Sequence, residues 1–147
     1  MEIGHELDTA SRQRIEASFA RQGLMGLLGA RLLRVETGLV TIALPFRPEV
    51  TQQHGYFHAG GSSTIADTAG GYAAMTLFPP DSSVLTVEFK LNLIRPAQGQ
   101  RLEATGRVIK PGRTLTICQL DVWGITDDGR THCATGLQTL IRVAGET

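Results

Sequence analysis

The 147-residue sequence contains only two cysteines and carries no surplus of either charge. Two cysteines, Cys118 and Cys133, are too few for a disulfide framework, and this scarcity favours a reducing compartment, which we expect to be the cytoplasm. Lys plus Arg and Asp plus Glu number 14 each. A balanced chain argues against a nucleic-acid groove and against a polybasic membrane anchor.

Long apolar runs and internal repeats are also missing. No stretch approaches the roughly 18 apolar residues of a spanning helix, and the polar N-terminus has no apolar core of a signal peptide. We therefore expect no membrane partner. The composition is 41% apolar and 19% charged, which is typical of a globular chain with a core. The length predicts a single domain, residues 1–147.

The order of the predicted elements indicates an α+β fold. The prediction is a helix at 8–22, strands at 31–36 and 39–44, a helix at about 60–77, and strands at 85–93, 101–110, 114–126 and 130–143. Pro79-Pro80 ends the second helix. A run of strands after a lone long helix predicts one antiparallel sheet.

The strand at 85–93 alternates between apolar and polar residues. The pattern predicts that its apolar side chains share one face and its polar side chains the other: Leu85, Val87, Phe89, Leu91 and Leu93 against Thr86, Glu88, Lys90 and Asn92. In the last hairpin, a two-residue turn at Asp128-Gly129 would place Cys118 opposite Thr139. The two cysteines would then not face each other, so we expect no disulfide.

The long helix consists almost wholly of small residues. It carries Gly60, Gly61, Gly70 and Gly71, each worth about 1 kcal/mol less than alanine in a helix interior. Such a helix needs tertiary support, and its alanines let strands approach closely. We therefore predict a hotdog fold, in which an antiparallel sheet wraps around one long central helix.

The stretch QQHGYFHAGGSSTIADTAGGYAA, residues 52–74, has the composition of a reaction site. It begins as a glycine-containing turn with two imidazoles, His54 and His58, and continues as the small-residue helix with one carboxylate, Asp67. An acid buried among small residues is costly unless it has a partner or a task. The imidazoles are not expected to bind a metal, because no Glu follows His54 and Gly55 indicates a turn.

Several segments resemble the PaaI-like hotdog thioesterases of phenylacetate degradation. They are HGYFHAGGSSTIADTAGGYAA at 54–74, TVEFKLNLIRPA at 86–97, VIKPGRTL at 108–115, DDGR at 127–130 and CATGLQTLI at 133–141. The resemblance covers about residues 22–143, with the helix at 8–22 before it. It implies hydrolysis of an acyl-CoA to a free acid and CoA, with coenzyme A as part of the substrate and no separate cofactor.

The resemblance also implies residue roles. Asp67 corresponds to the carboxylate that attacks the thioester or activates water. Ala59 corresponds to a position, usually Gly, whose N–H helps to form the oxyanion hole, with Gly60 beside it. Gln52 corresponds to an Asn or Gln that holds substrate or water. His58 corresponds to a histidine near the sulfur, and Thr86 to a Ser or Thr that orients water.

Physical reasoning supports a site shared between two chains. Free N–H groups at a helix start suit a developing negative charge. Asp67 follows Ala59 by eight residues, which is ~12 Å along a helix axis. One carbonyl cannot contact both in one subunit, so we expect a homodimer, or a homotetramer built from exposed strand faces, with the site at the dimer interface.

Basic residues near the mouth of the site could contact the phosphates of coenzyme A. Arg95, Lys110 and Arg113 are candidates because cations at turns and strand ends reach phosphate without being buried. The resemblance adds Asn92. We expect a medium- or long-chain aliphatic acyl group first and an aromatic one second.

Two other functions are compatible with the sequence. An enoyl-thioester hydratase or dehydratase of the same fold would pair an acid with a histidine. A non-catalytic acyl-CoA-binding protein would bind without turnover. Asp67 could also be a structural acid, and His58 could only stabilise the turn.

Overall fold

The computed structural model describes residues 2–145, which form three α-helices and six β-strands. These are α1 (Thr9–Ala20), α2 (Gly23–Leu28), β1 (Arg31–Glu36), β2 (Leu39–Pro45), α3 (Ala59–Met75), β3 (Ser82–Leu93), β4 (Arg101–Lys110), β5 (Leu115–Thr126) and β6 (Gly129–Ala144), with a 3-10 turn at Pro48–Val50. The predicted helices and strands are all present. The short helix α2 lies between the predicted helix at 8–22 and the predicted strand at 31–36.

All six strands belong to one antiparallel sheet, in the order β1-β2-β4-β5-β6-β3. The sheet wraps around α3, and four alanines of that helix, Ala66, Ala69, Ala73 and Ala74, are fully buried. The predicted α+β hotdog fold is therefore confirmed. Gly106 on β4 faces Gly70 on α3, and a Cβ on Gly106 would overlap the helix backbone. The small residues thus allow the contact that stabilises a helix weak on its own.

The helix α1 is tied to the C-terminal end of α3. Asp8 caps α1 by accepting hydrogen bonds from the backbone N–H and the hydroxyl of Ser11, both at 2.8 Å. From α1, the guanidinium of Arg14 donates to the carbonyl oxygens of Met75 at 3.0 Å and Pro79 at 2.9 Å. A cation at the last carbonyls of a helix satisfies orphan acceptors and favours the helix dipole.

The face prediction for β3 is wrong because the strand carries a bulge. Thr86 pairs with Leu140 and Glu88 with Thr139, so Val87 is an extra residue between them. Neighbouring residues of β6 point to opposite faces, and the bulge therefore places Thr86 and Glu88 on opposite faces of the sheet. Thr86 faces the helix, whereas Glu88, Lys90 and Asn92 lie on the outer face.

The last hairpin turns one residue earlier than the sequence suggested. Thr126 pairs with Gly129, so the turn is Asp127-Asp128, and a further bulge lies between Val122 and Trp123. Cys118 consequently faces Gln138 instead of Thr139. Both cysteines are free, as expected. Burial raises the pKa of the Cys118 thiol to about 12, which keeps it protonated and unreactive.

Among residues 2–145, no helix combines the length and the apolar character that crossing a membrane requires.

Candidate active site

The carboxylate of Asp67 is held by two side chains from neighbouring strands. Its Oδ1 accepts a hydrogen bond from Thr86 Oγ1 at 2.6 Å and another from Gln138 Nε2 at 2.7 Å. Asp67 is half-buried on the side of α3 that faces β3 and β6. Within residues 2–145, its second oxygen, Oδ2, has no hydrogen-bond partner. One oxygen is therefore fixed, and the other is available.

Asp67 and Thr86 open into a cleft of about 330 Å³ between α3, the start of β3 and α1. Gly71, Met75 and Val84 form its apolar wall. The opposite wall is polar: Tyr72 Oη accepts from Gln22 Nε2 at 2.8 Å and lies 2.9 Å from Ser18 Oγ. The cleft thus continues from the carboxylate along the helix.

At the other end of α3, the side chain of His58 caps the helix. Its Nδ1 accepts a hydrogen bond from the backbone N–H of Gly60 at 2.7 Å. A ring nitrogen that accepts carries no proton, so the neutral ring holds its proton on Nε2. Two consequences follow. The N–H of Gly60 is already used, which argues against its expected oxyanion role, and the exposed ring of His58 offers Nε2–H as a donor.

Ala59 is the first residue of α3, and its N–H points out of the helix start. Within residues 2–145, this N–H has no hydrogen-bond acceptor, as the first N–H groups of a helix have none within the helix. Among residues 2–145, no residue other than glycine has a positive φ. Alanine therefore replaces the usual glycine here without backbone strain, and its N–H remains available.

Gln52 borders a second cavity, of about 550 Å³, together with His58 and Ala59. Its Oε1 accepts from the backbone N–H of His54 at 2.5 Å. That bond fixes the amide and leaves Nε2 as the donor. Phe57 and Ile94 supply apolar wall to the same cavity. Here one protomer presents three donors: an amide, an imidazole and a backbone N–H.

The two halves of the expected site do not meet within one protomer. Asp67 and Thr86 line one cavity, while Gln52, His58 and Ala59 line the other. Asp67 follows Ala59 by eight residues in one uninterrupted helix, so the two positions are ~12 Å apart along its axis. The acid half and the donor half are thus separate surfaces of the same chain.

The four residues expected to bind coenzyme A lie in three different places. Arg95 lines the second cavity, that of Gln52, His58 and Ala59, which we call the donor cavity. Its guanidinium donates to the carbonyl oxygen of His132 at 3.1 Å. Lys110 ends β4, four residues after the Gly106 that contacts Gly70 of α3, and Arg113 lies in the turn that follows. Asn92 lies on the outer face of β3, in a groove with Glu88 and Lys90, away from both cavities.

Sequence reasoning missed Gln138, whose amide contacts both Asp67 and Thr86. It lies on β6 with an exposed fraction of 1%. The sequence around Gln138 gives only a weak signal for a buried amide. A polar residue can be recognised as pointing inward only when the register of its strand is known. The bulges of β5 and β3 displace that register by one residue, so the sequence pattern alone did not reveal it.

No group of three or more His, Cys, Asp or Glu side chains that could hold a metal ion occurs in the described part of the chain. His54 is exposed in the loop before α3, and His58 uses one ring nitrogen for the helix cap.

Comparison with known proteins gives concordant results. The family model of the thioesterase superfamily matches residues 54–131. A crystal structure of a thioesterase family protein from Silicibacter pomeroyi is 42% identical, covers 92% of this chain and 99% of its own, and superposes with a TM-score of 0.89. The PaaI protein of Escherichia coli shares the fold, with a TM-score of 0.82 at 18% identity over 95% of this chain and 98% of its own. The 1,4-dihydroxy-2-naphthoyl-CoA hydrolase of Escherichia coli is 22% identical over 118 residues, which are 80% of this chain and 85% of that one.

Proposed function

The chain belongs to the thioesterase superfamily and is a thioester hydrolase, and we propose that it hydrolyses acyl-CoA at a site formed between two protomers. The separation of the acid half from the donor half carries this proposal. A catalytic acid ~12 Å from the oxyanion donors cannot serve one carbonyl. Two chains related by a twofold axis could bring the Asp67 of one to the Ala59 of the other.

An exposed edge strand supports the dimer. β3 ends the sheet, and its side chains Leu85, Val87 and Leu93 are more than half exposed. A long apolar edge strand is a template for pairing with another chain. Antiparallel pairing of two β3 strands would bring the Ser82 end of one near the Leu93 end of the other. The acid half of each protomer would then approach the donor half of its partner.

In the proposed reaction, water and the thioester give a carboxylic acid and a thiol. Asp67 Oδ2 either removes a proton from water that attacks the carbonyl carbon, or attacks that carbon itself to form an anhydride that water then cleaves. The N–H of Ala59 stabilises the oxyanion. The Nε2–H of His58 donates to the leaving sulfur, Gln52 holds the carbonyl oxygen or the water, and Thr86 orients the carboxylate.

Hydrolysis in ¹⁸O-labelled water under single turnover separates the two routes. Water attack on the thioester places label only in the product acid, whereas an anhydride that water cleaves at the Asp67 carbonyl carbon places the first label in the enzyme carboxylate.

The nucleotide of the substrate is proposed to lie against Arg95, which borders the donor cavity. In an antiparallel dimer, the partner's copies of the Lys110 and Arg113 turn would approach the same end of the site, so these cations remain candidates for the phosphates. Asn92 is on the outer face of the sheet, which does not favour contact with coenzyme A. That face also offers exposed Leu115 and Leu137, which supports the proposal that dimers pair into a tetramer.

The acyl group is proposed to occupy the cleft beside Asp67. From Asp67 to Met75 the cleft follows α3 for ~12 Å, and its volume is at the lower end of common ligand pockets, about 300–1,000 Å³. This size favours a medium-length aliphatic chain over a long one. An aromatic acyl group is the second choice, supported by the relative named for a naphthoyl-CoA and by membership in the PaaI-like group that the sequence motifs suggest.

A thiol-release assay over octanoyl-, palmitoyl-, phenylacetyl- and 4-hydroxybenzoyl-CoA tests the function, with Asp67→Asn as the variant. Asparagine keeps the oxygen that Thr86 and Gln138 contact but cannot act as base or nucleophile. We expect kcat to fall by about 10²–10⁴-fold. Crotonyl-CoA serves as a control, since loss of its conjugated absorbance without thiol release would indicate hydration. Equal turnover by wild type and Asp67→Asn would contradict the assignment.

A further inference from the structure

Gln138 is buried, and all hydrogen bonds of its side chain go to the acid half of the site. Its Nε2 lies 2.7 Å from Asp67 Oδ1, 3.1 Å from the Asp67 carbonyl oxygen and 3.2 Å from Thr86 Oγ1. These acceptors all surround one nitrogen. The opposite orientation would place the amide oxygen against a carboxylate and a carbonyl, so the contacts themselves determine which way the amide points.

The other end of this amide has no partner. Gln138 Oε1 is fully buried, and no donor in residues 2–145 reaches it. An unsatisfied buried oxygen costs free energy, and an apolar side chain of the same shape would avoid that cost. The oxygen lies against Gly70, where a Cβ would overlap it. Gln138 and Gly70 are thus both unfavourable for stability. Together they allow the amide N–H₂ of Gln138 to donate a hydrogen bond to Asp67.

The result of these contacts is an asymmetric carboxylate. Thr86 and Gln138 both donate to Oδ1, while Oδ2 receives no hydrogen bond from the described residues. With one oxygen fixed by two donors from different strands, the side chain cannot rotate without losing both. The available oxygen therefore stays directed away from these two donors.

We propose that Gln138 is a positioning residue, which fixes Asp67 so that Oδ2 is the oxygen that reacts. It acts through Asp67 and does not contact the substrate. The inference rests on the proposed function, because it assigns a reactive role to Asp67. It extends that function by naming which oxygen reacts and which buried amide determines it.

The first test replaces the amide with an apolar side chain of similar size. In Gln138→Met, we expect kcat for the best substrate of the acyl-CoA panel to fall by about 10- to 100-fold, the usual worth of a hydrogen bond to a charged group, with KM changed less than about threefold. Thermal stability should be unchanged or higher, since the unpaired oxygen is gone. The matched control is Gln119→Met, because Gln119 on the adjacent strand donates to Thr135 at 2.9 Å on the outer face.

The second test measures the titration of the Asp67 carboxyl directly. Gln138→Glu places a second acid beside Asp67, and two neighbouring carboxylates resist carrying two negative charges. The two carboxyls then titrate as a pair, and the pair loses its second proton only at higher pH. A titration step at higher pH should therefore appear in the kcat/KM profile and in the ¹³C chemical shift of the Asp67 carboxyl. Gln119→Glu should move neither.

The outcomes separate this inference from the proposed function. A wild-type kcat in Gln138→Met, or an Asp67 titration unmoved in Gln138→Glu, would overturn the positioning role even if the enzyme hydrolyses acyl-CoA. If the wild type hydrolyses no acyl-CoA, the proposed function fails, and the titration still decides whether Gln138 controls the carboxylate.

Discussion

Ala59 illustrates how a single residue can depart from a family pattern without losing its role. The position is commonly glycine, but its backbone here is helical, so a methyl group causes no strain. What the chemistry needs is the N–H, and Ala59 is placed where the helix itself cannot use it. The N–H of Gly60, one residue later, is not available in this way because it donates a hydrogen bond to Nδ1 of His58.

We expect the substitution Ala59→Pro to slow catalysis strongly without unfolding the protein. Proline is favoured at the first position of a helix, and His58 before it already has the extended backbone, with ψ at 141°, that a following proline requires. We expect kcat to fall by about 10²–10³-fold, as for removal of one oxyanion donor, with an unchanged circular dichroism spectrum. The control Ala59→Gly keeps the N–H and should retain near wild-type kcat. Full activity in Ala59→Pro would show that this N–H has no role in catalysis.

At the scale of the element, α3 combines a structural and a chemical task at its first turn. His58 ends the loop, caps the helix with Nδ1 and leaves Nε2–H exposed beside Gln52 and Ala59. One ring thus serves the helix with one nitrogen and faces the cavity with the other. The cap fixes the tautomer, so the helix start determines the donor that the cavity receives.

Two substitutions of His58 separate these tasks. Asparagine is a good N-cap residue, so His58→Asn should keep the stability of the wild type while losing the Nε2–H donor. His58→Ala loses both, and we expect it to be destabilised by about 1 kcal/mol in urea denaturation. If the donor serves the reaction, both variants lose activity to a similar extent. Activity that follows stability instead, with His58→Asn fully active, would leave only the capping role.

At the scale of the whole molecule, the unpaired edge strand and the divided site point to the same assembly. The sheet ends at β3, whose bulge turns Thr86 toward Asp67 while Leu85, Val87 and Leu93 remain exposed. The donor cavity lies near the Leu93 end of that strand, and the acid cleft near its start. A partner paired along β3 would connect the two.

Mixed dimers test this assembly. Dimers of Asp67→Ala chains and dimers of Ala59→Pro chains should each be nearly inactive, because every site lacks one half. A purified heterodimer of the two should recover about half of the wild-type activity, since one of its two sites combines an intact acid with an intact N–H. A heterodimer as inactive as its parents would place both halves of the site within one chain.

The sequence by itself determined the order of the elements and the hotdog fold, and it predicted most of the candidate site residues. Helix period, strand alternation and turn residues are local signals, and they predicted α3 and the strands to within a few residues. The spacing of Ala59 and Asp67 also follows from the sequence, because the rise of a helix is fixed.

Only the tertiary structure decided which side chains meet. The bulge at Val87 reversed the expected face of Thr86, and the register of β6 placed Gln138 on Asp67. A one-residue shift in a strand moves every following side chain to the other face, and its position depends on the packing of the whole sheet around α3. Local patterns carry no information about that packing, so contacts across the sheet appear only in the folded chain.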